Sequence, residues 1–265
     1  MSGAAVVTLC SAPRLEHLRN QLRATAGVPR IVVWIGDDEP PVLDAEAVVR
    51  VPPGAAGLRL AAARNAGARE AAARGATLLI FLDADCVPAP GLVDAYRAAA
   101  DRSPGAVLCG PVTYLPAGAA LDAAALRAAT APHAARPAPP PGELRPATAA
   151  EYPLFWSLSF AVAPTVWREV GGFDEAFEGY GGEDTDFAFS LRARGIPLVW
   201  VGGADAYHQY HETSSPPWQH LDDILRNGAL FAEKWGEWPM GGWLSAFAEA
   251  GAVERVPGGW RRATA

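Results

Sequence analysis

The 265-residue chain has one lysine (Lys234), two methionines and three cysteines, and its 22 Lys and Arg are outnumbered by 29 Asp and Glu, leaving a formal charge of −7. So little positive charge provides no broad basic face for a phosphate backbone, which excludes nucleic acid as the expected partner. Cys10, Cys86 and Cys109 are odd in number and widely spaced. They read as reduced core thiols, not a disulfide framework or a metal cluster, and a reducing, cytoplasmic setting is expected. Long hydrophobic runs are also missing. The longest, Tyr152 to Trp167, falls short of the ~20 residues a membrane-spanning helix needs, and Pro153 and Pro164 interrupt it. No basic stretch precedes the apolar start AAVVTL, so that start is expected to be a strand, not an export signal.

Half of the residues are apolar and nine are Trp, enough for a large core. Short apolar runs (AAVVTL, RIVVWIG, residues 48–51, TLLIFL) alternate with helical patterns at residues 15–26, 57–74 and 90–100. That alternation predicts βαβ units and a mostly parallel sheet flanked by helices. The wholly apolar run TLLIFL fits a strand covered on both faces. Residues 116–150 shift to Ala, Pro and Gly, including RPAPPPGELRPATAA, and read as a surface loop, either a lid or an insertion without a role. The expected organisation is one α/β domain over residues 1–240, with a first half (1–115), the Ala/Pro-rich loop (116–150), a second half (151–240) that shares a cleft with the first, and an aromatic helix or tail at 241–265.

Four clusters hold groups suited to chemistry. Asp83 and Asp85 follow TLLIFL directly, at the strand end where open α/β sheets bind ligands, and paired carboxylates repel unless a cation or proton intervenes. In GYGGEDTD, three glycines around Tyr180 precede Glu183, Asp184 and Asp186; an acidic first helical turn explains the acids equally simply. His208 and His211 lie three residues apart after the strand IPLVWVGG, placed either to ligate a metal or to fill a structural role. Arg64 and Asn65 interrupt an Ala-rich helix, and a guanidinium suits phosphate oxygens, although a solvated Arg is the simpler alternative. Taken together, one Asp from the first half and one His from the second can hold a divalent cation, which leaves the acidic pair at 183–184 free to act as a base.

The stretches RIVVWIGDDEP, ARNAGARE, TLLIFLDADCVP, VGGFDEAFEGYGGEDTDFAFSLRARG and DAYHQYH follow one another over residues 4–212. In that order they resemble family 2 glycosyltransferases of the GT-A, Rossmann-like fold, with a galactosyltransferase-type motif in the GGFDE to GGEDTDF string. The resemblance implies a metal-dependent, inverting, non-processive hexosyltransferase that moves a sugar from a nucleotide-diphosphate donor, by family habit a UDP-sugar, to a hydroxyl on a carbohydrate or similar acceptor. It makes Asp85 a ligand of Mn2+ or Mg2+ and turns Asp83 toward ribose and metal. Asp37 or Asp38 would contact the base, and Arg64 and Asn65 would line the donor site. Glu183 and Asp184 become the acidic pair, with Asp184 the base, while Tyr180, Gly181 and Gly182 adjoin the acceptor. His208 takes the place of a strand-end metal ligand, with His211 its competitor. The chain departs from the family where LCSAPR replaces the usual Pro-x-x-Asn turn and GDDEP the usual Asp-Asp-Gly-Ser, and no Gln-x-x-Arg-Trp motif is present. Two rival readings are a nucleotidyltransferase, disfavoured by the lack of glycine in CSAPR, and a catalytically silent nucleotide-sugar-binding protein.

Overall fold

The computed structural model describes residues 3–264. In chain order its elements are β1 (Gly3–Cys10), α1 (Leu15–Ala24), β2 (Arg30–Ile35), β3 (Ala47–Val51), α2 (Leu60–Ala73), β4 (Ala76–Leu82), β5 (Cys86–Pro88), α3 (Leu92–Arg102), β6 (Val107–Cys109) and β7 (Val112–Tyr114). They continue with α4 (Ala123–Ala129), β8 (Leu144–Pro146), β9 (Ser159–Val162), α5 (Pro164–Val170), α6 (Glu183–Ala193), β10 (Leu198–Val201), β11 (Ala206–His208), α7 (Leu221–Trp235), α8 (Gly241–Glu249), β12 (Val253–Val256) and β13 (Gly259–Arg262).

The main sheet has eight strands in the order β3-β2-β1-β4-β9-β6-β10-β8. Strands β3, β2, β1 and β4 run parallel, as do β6 and β10, while β9 is antiparallel to both of its neighbours. Its composition follows from covering both faces. Along β1, Ala5 and Val7 join one core cluster while Ala4 and Val6 join another, and in β4 Leu79 and Phe81 alternate in the same way with Leu78, Ile80 and Leu82. Successive side chains point to opposite faces, so a strand buried on both sides is apolar throughout. Helix α2 sits very close to one face. A Cβ at Gly67 would collide with Val7 and Val33, so glycine there allows the backbone of α2 to approach β1 and β2.

Order along the sheet reverses at β1, whose neighbours β2 and β4 leave it in opposite directions. Ligand crevices in open α/β sheets form at the carboxyl ends flanking such a switch point. Those ends are Cys10 to Arg14 after β1 and Asp83 to Asp85 after β4.

Two segments differ from the reading of composition. Residues 116–150 contain α4, whose first turn is capped by Asp122 accepting from the Ala124 and Ala125 amides, and β8, which pairs antiparallel with β10 at the sheet edge. Three residues ending in Pro146 give no strand signal, yet an edge strand tolerates proline because one side of it needs no partner. The last 25 residues are more than a helix: β12 and β13 form a hairpin whose Trp260 packs with Trp238 and Trp243 against α7 and α8.

Candidate functional site

A second, three-stranded sheet, β5-β11-β7, builds the centre of the site. Strand β5 begins directly after Asp85, and β11 pairs antiparallel with it so that His208 stands opposite Cys86. The Gln209 amide donates to the Asp85 carbonyl at 2.7 Å, locking this register. Gln209 is buried; its side chain donates to the His17 carbonyl and accepts from Asn20, turning the chain so that His211 folds back. His208 Nε2 thus lies 3.5 Å from Asp85 Oδ1, and His211 Nε2 lies 3.4 Å from Asp85 Oδ2. One ligating atom from each of the three residues falls within 4.8 Å of the others.

Asp85 is 8% exposed, and burial alone would raise its pKa. The His211 hydrogen bond and the charges of His208, His211 and Arg14 outweigh burial and hold the carboxyl below its usual value. Arg14, from the loop after β1, places Nε 3.3 Å from Asp85 Oδ2. His211 is pushed up chiefly by its bond to Asp85, whereas burial pushes His208 down. One carboxylate and two imidazoles form a mixed oxygen–nitrogen donor set that suits a divalent transition cation better than Mg2+, which prefers oxygen ligands. Neighbouring thiols do not compete: burial and the Asp85 charge push Cys10 up to about 12, and Cys86 is pushed up by burial first.

The acidic pair sits at the start of α6, whose first residue is Glu183 and whose N-cap is Gly182 at φ 92°. Burial first, then the Glu183 charge, raises Asp184 to about 7; its Oδ1 accepts from the Thr185 amide at 2.7 Å. Arg64 joins the two halves of the molecule. It is 3% exposed, with Nη1 3.3 Å from Glu183 and Nη2 3.4 Å from Asp83, and its guanidinium lies over the Phe173 ring. Asp83 is raised to about 6, mainly by burial, with Arg64 opposing.

Other expected site residues are placed as follows. Tyr180 stacks on His220, ring centroids 4.3 Å apart, and on its far side approaches Trp243. Asp37 and Asp38 are exposed at the end of β2, where the Asp37 carbonyl accepts from Arg50 and Asp38 accepts from the Trp34 indole. Asn65 makes its contacts within the chain. Its Nδ2 donates to the Phe173 carbonyl (2.8 Å) and to Glu175 (3.0 Å), and its Oδ1 accepts from the Phe173 amide (2.9 Å). Both N–H donors are taken, so the amide clamps the GGFDE turn onto α2.

Three residues escaped the sequence reading. Arg14 had its place after the first apolar run as a signal. Tyr114 packs against His208, ring centroids 4.6 Å apart and tilted by 30°, a contact set by the pairing of β7 with β11 that no local pattern announces. Asn227, on α7, is the third, and its position behind the glycine loop depends on packing between distant elements.

Residues 14–139 match the model of glycosyl transferase family 2, and residues 146–212 match that described as the N-terminal domain of galactosyltransferase. Two curated relatives, validoxylamine A glucosyltransferases of Streptomyces hygroscopicus subsp. jinggangensis (strain 5008) and subsp. limoneus, are each 36% identical over 161 residues. These matches take in 54% of this chain and 37% and 35% of the relatives, so the likeness spans little more than a third of their length. Among solved structures, GalNAc-T7 with UDP, GalNAc and Mn2+ superposes with a TM-score of 0.60 at 16% identity, covering 88% of this chain and 48% of that one. S. aureus TarS 1–349 in complex with UDP-GlcNAc gives 0.57 at 12%, covering 88% and 66%. At such identities the superpositions show the shared GT-A fold.

Proposed function

We propose that this chain, whose residues 14–139 match glycosyl transferase family 2 and whose relatives include glucosyltransferases, is a glycosyltransferase that transfers a sugar from a nucleoside-diphosphate donor to a hydroxyl acceptor with inversion, using a divalent cation. The observation that carries this reading is the meeting of Asp85 with His208 and His211, from opposite halves of the chain, beside the Arg64-bridged Asp83 and Glu183. Solved structures of the same fold, described with UDP and Mn2+ or with UDP-GlcNAc, support a UDP-sugar as the donor and Mn2+ as the ion.

Asp85, His208 and His211 hold the cation in this reading. When bound, it supplies the positive charge that offsets the leaving diphosphate. Asp83 and Arg64 fix the donor edge of the site, and Asp37 and Asp38 lie at the neighbouring strand end where the base would rest. Tyr180, Gly181 and Gly182 face the acceptor. Asp184 accepts the proton of an acceptor hydroxyl, and that oxygen bonds to the anomeric carbon from the face opposite the diphosphate. The carbon–oxygen bond to phosphate breaks with its electron pair leaving on the nucleoside diphosphate. A carboxyl raised to about 7 is well matched to a base working near neutrality.

The test is a panel of sugar nucleotides and hydroxyl acceptors with Mn2+, monitored for nucleoside diphosphate and for the anomeric configuration of the product. Release of nucleoside diphosphate with an inverted glycoside is expected. Inorganic pyrophosphate would point to a nucleotidyltransferase instead, and tight donor binding without turnover to a silent binder; either outcome overturns the reading.

A further inference from the structure

The loop from Glu178 to Gly182 carries three glycines at φ 74°, 88° and 92°, each in the left-handed region. Glycine has the most freedom to lose on folding, so such a loop orders only where something external holds it. Its carbonyls at 178, 180 and 181 face α7. There the Asn227 Nδ2 lies within hydrogen-bond distance of all three, at 2.9 Å from Glu178, 3.2 Å from Tyr180 and 2.8 Å from Gly181, so that its two N–H groups serve three acceptors with one of them shared. Asn227 is 1% exposed and interrupts a buried stripe of Leu221, Ile224, Gly228 and Phe231. An amide at a position where packing calls for an apolar side chain costs desolvation, and here its Oδ1 has no partner. The contacts made by Nδ2 are what offset that cost. Arg226, adjacent on α7, also donates to the Glu178 carbonyl at 2.7 Å, and Met240 packs its sulfur against Gly181.

We propose that Asn227 is a positioning residue: its one amide group fixes the glycine loop and thereby the directions of Tyr180 and Asp184 at the start of α6. The inference rests on the reading of Asp184 as the base, but the clamp itself is testable without that reading.

Asn227→Leu and Asn227→Asp keep the branched heavy-atom outline of the side chain and remove the donor, and the Asp variant does so without the added bulk of two methyl groups. Hydrogen exchange of the peptide covering residues 177–184 should quicken at least tenfold in both, whether or not the protein transfers sugar; unchanged exchange there would refute the clamp. In wild-type protein that turns over, both variants should lose kcat by about 10–100-fold, the scale expected for an ångström of misplacement. UDP with Mn2+ should still bind one to one, with affinity within about twofold, because Asp85 and the histidines are held by a different sheet. Equal losses of kcat and of binding stoichiometry would mean a general folding defect, and an unchanged kcat would mean that the loop needs no clamp; each sinks the positioning role. If wild-type protein shows no transfer at all, the functional reading fails while the exchange result still decides the clamp.

Discussion

Asp85 and His211 stand 3.4 Å apart although they come from opposite halves of the chain. The contact depends on Gln209, whose backbone amide pins β11 to the Asp85 carbonyl before the chain turns back. If the trio is a cation site, Asp85→Ala should weaken Mn2+ binding in calorimetry by at least about tenfold, the scale seen when support around a metal is lost. His208→Ala and His211→Ala should each weaken it as well. Undiminished binding in Asp85→Ala would remove the trio from consideration.

Metal and proton also compete at this trio. The Asp85 bond raises the pKa of His211 from its usual value and so favours its protonated form, and a cation entering there competes with that proton. Mn2+ affinity should therefore fall as pH drops through neutrality, with proton release on binding visible as a dependence of calorimetric heat on buffer ionisation. Binding that is independent of pH between 5.5 and 8 would contradict the ligand role of His211.

How far the placement of these residues follows from residue order differs from element to element. Asp83 and Asp85 were readable because they end a wholly apolar run, and strand ends are where such sheets bind ligands. The acids at 183–184 were readable because three glycines mark a special backbone just before a helix. The pairing of β5 with β11 was not readable: three-residue strands carry no periodicity, and their register decides whether His208, His211 or neither meets Asp85. Asn65 shows how far neighbours in sequence can part in space. Beside Arg64 it looked like a ligand group, but one helical position turns it about 100° away, toward the Phe173 backbone, where it satisfies both peptide groups.

That geometry separates two roles for Asn65. Asn65→Ala strands the buried Phe173 N–H and carbonyl, at a cost of about 1–3 kcal/mol for each group left unpaired. The melting temperature should fall by several degrees, given about 2–4 °C per kcal/mol for a chain of this size. Donor KM should stay within about twofold for the folded fraction. A large rise in donor KM at unchanged melting temperature would return Asn65 to the donor site.

Arg64 neutralises Asp83 and Glu183 from a position with 4% side-chain exposure. Arg64→Met leaves two carboxylates facing each other without a counter-charge, and removing one partner of a buried ion network costs roughly 3–5 kcal/mol. Adding Asp83→Asn to Arg64→Met should recover part of that loss, because one of the stranded charges is then gone. Denaturant unfolding of the two single variants and the double variant measures the coupling, and strict additivity would show that the bridge carries no net interaction.

Asp184 links activity and stability with opposite signs. Burial and Glu183 raise its carboxyl from 3.8 to about 7, so the folded state binds its proton more tightly than the unfolded state does. A raised pKa of this kind favours folding below 3.8, and the advantage is lost as pH rises toward 7; above 7 the ionised carboxylate weighs against the fold. Asp184→Asn removes that charge and should raise the melting temperature at pH 8 by a few degrees, with no gain at pH 4. As the base, the same group makes wild-type kcat/KM climb with pH below about 7 and level off above it, and the Asn variant should lose about 10²–10⁴ in turnover. Calorimetric scans at the two pH values together with the pH–rate profile test both signs. A destabilised Asn variant at pH 8, or a flat wild-type profile between pH 5.5 and 8, would show that Asp184 is neither strained by its burial nor the group that takes the proton.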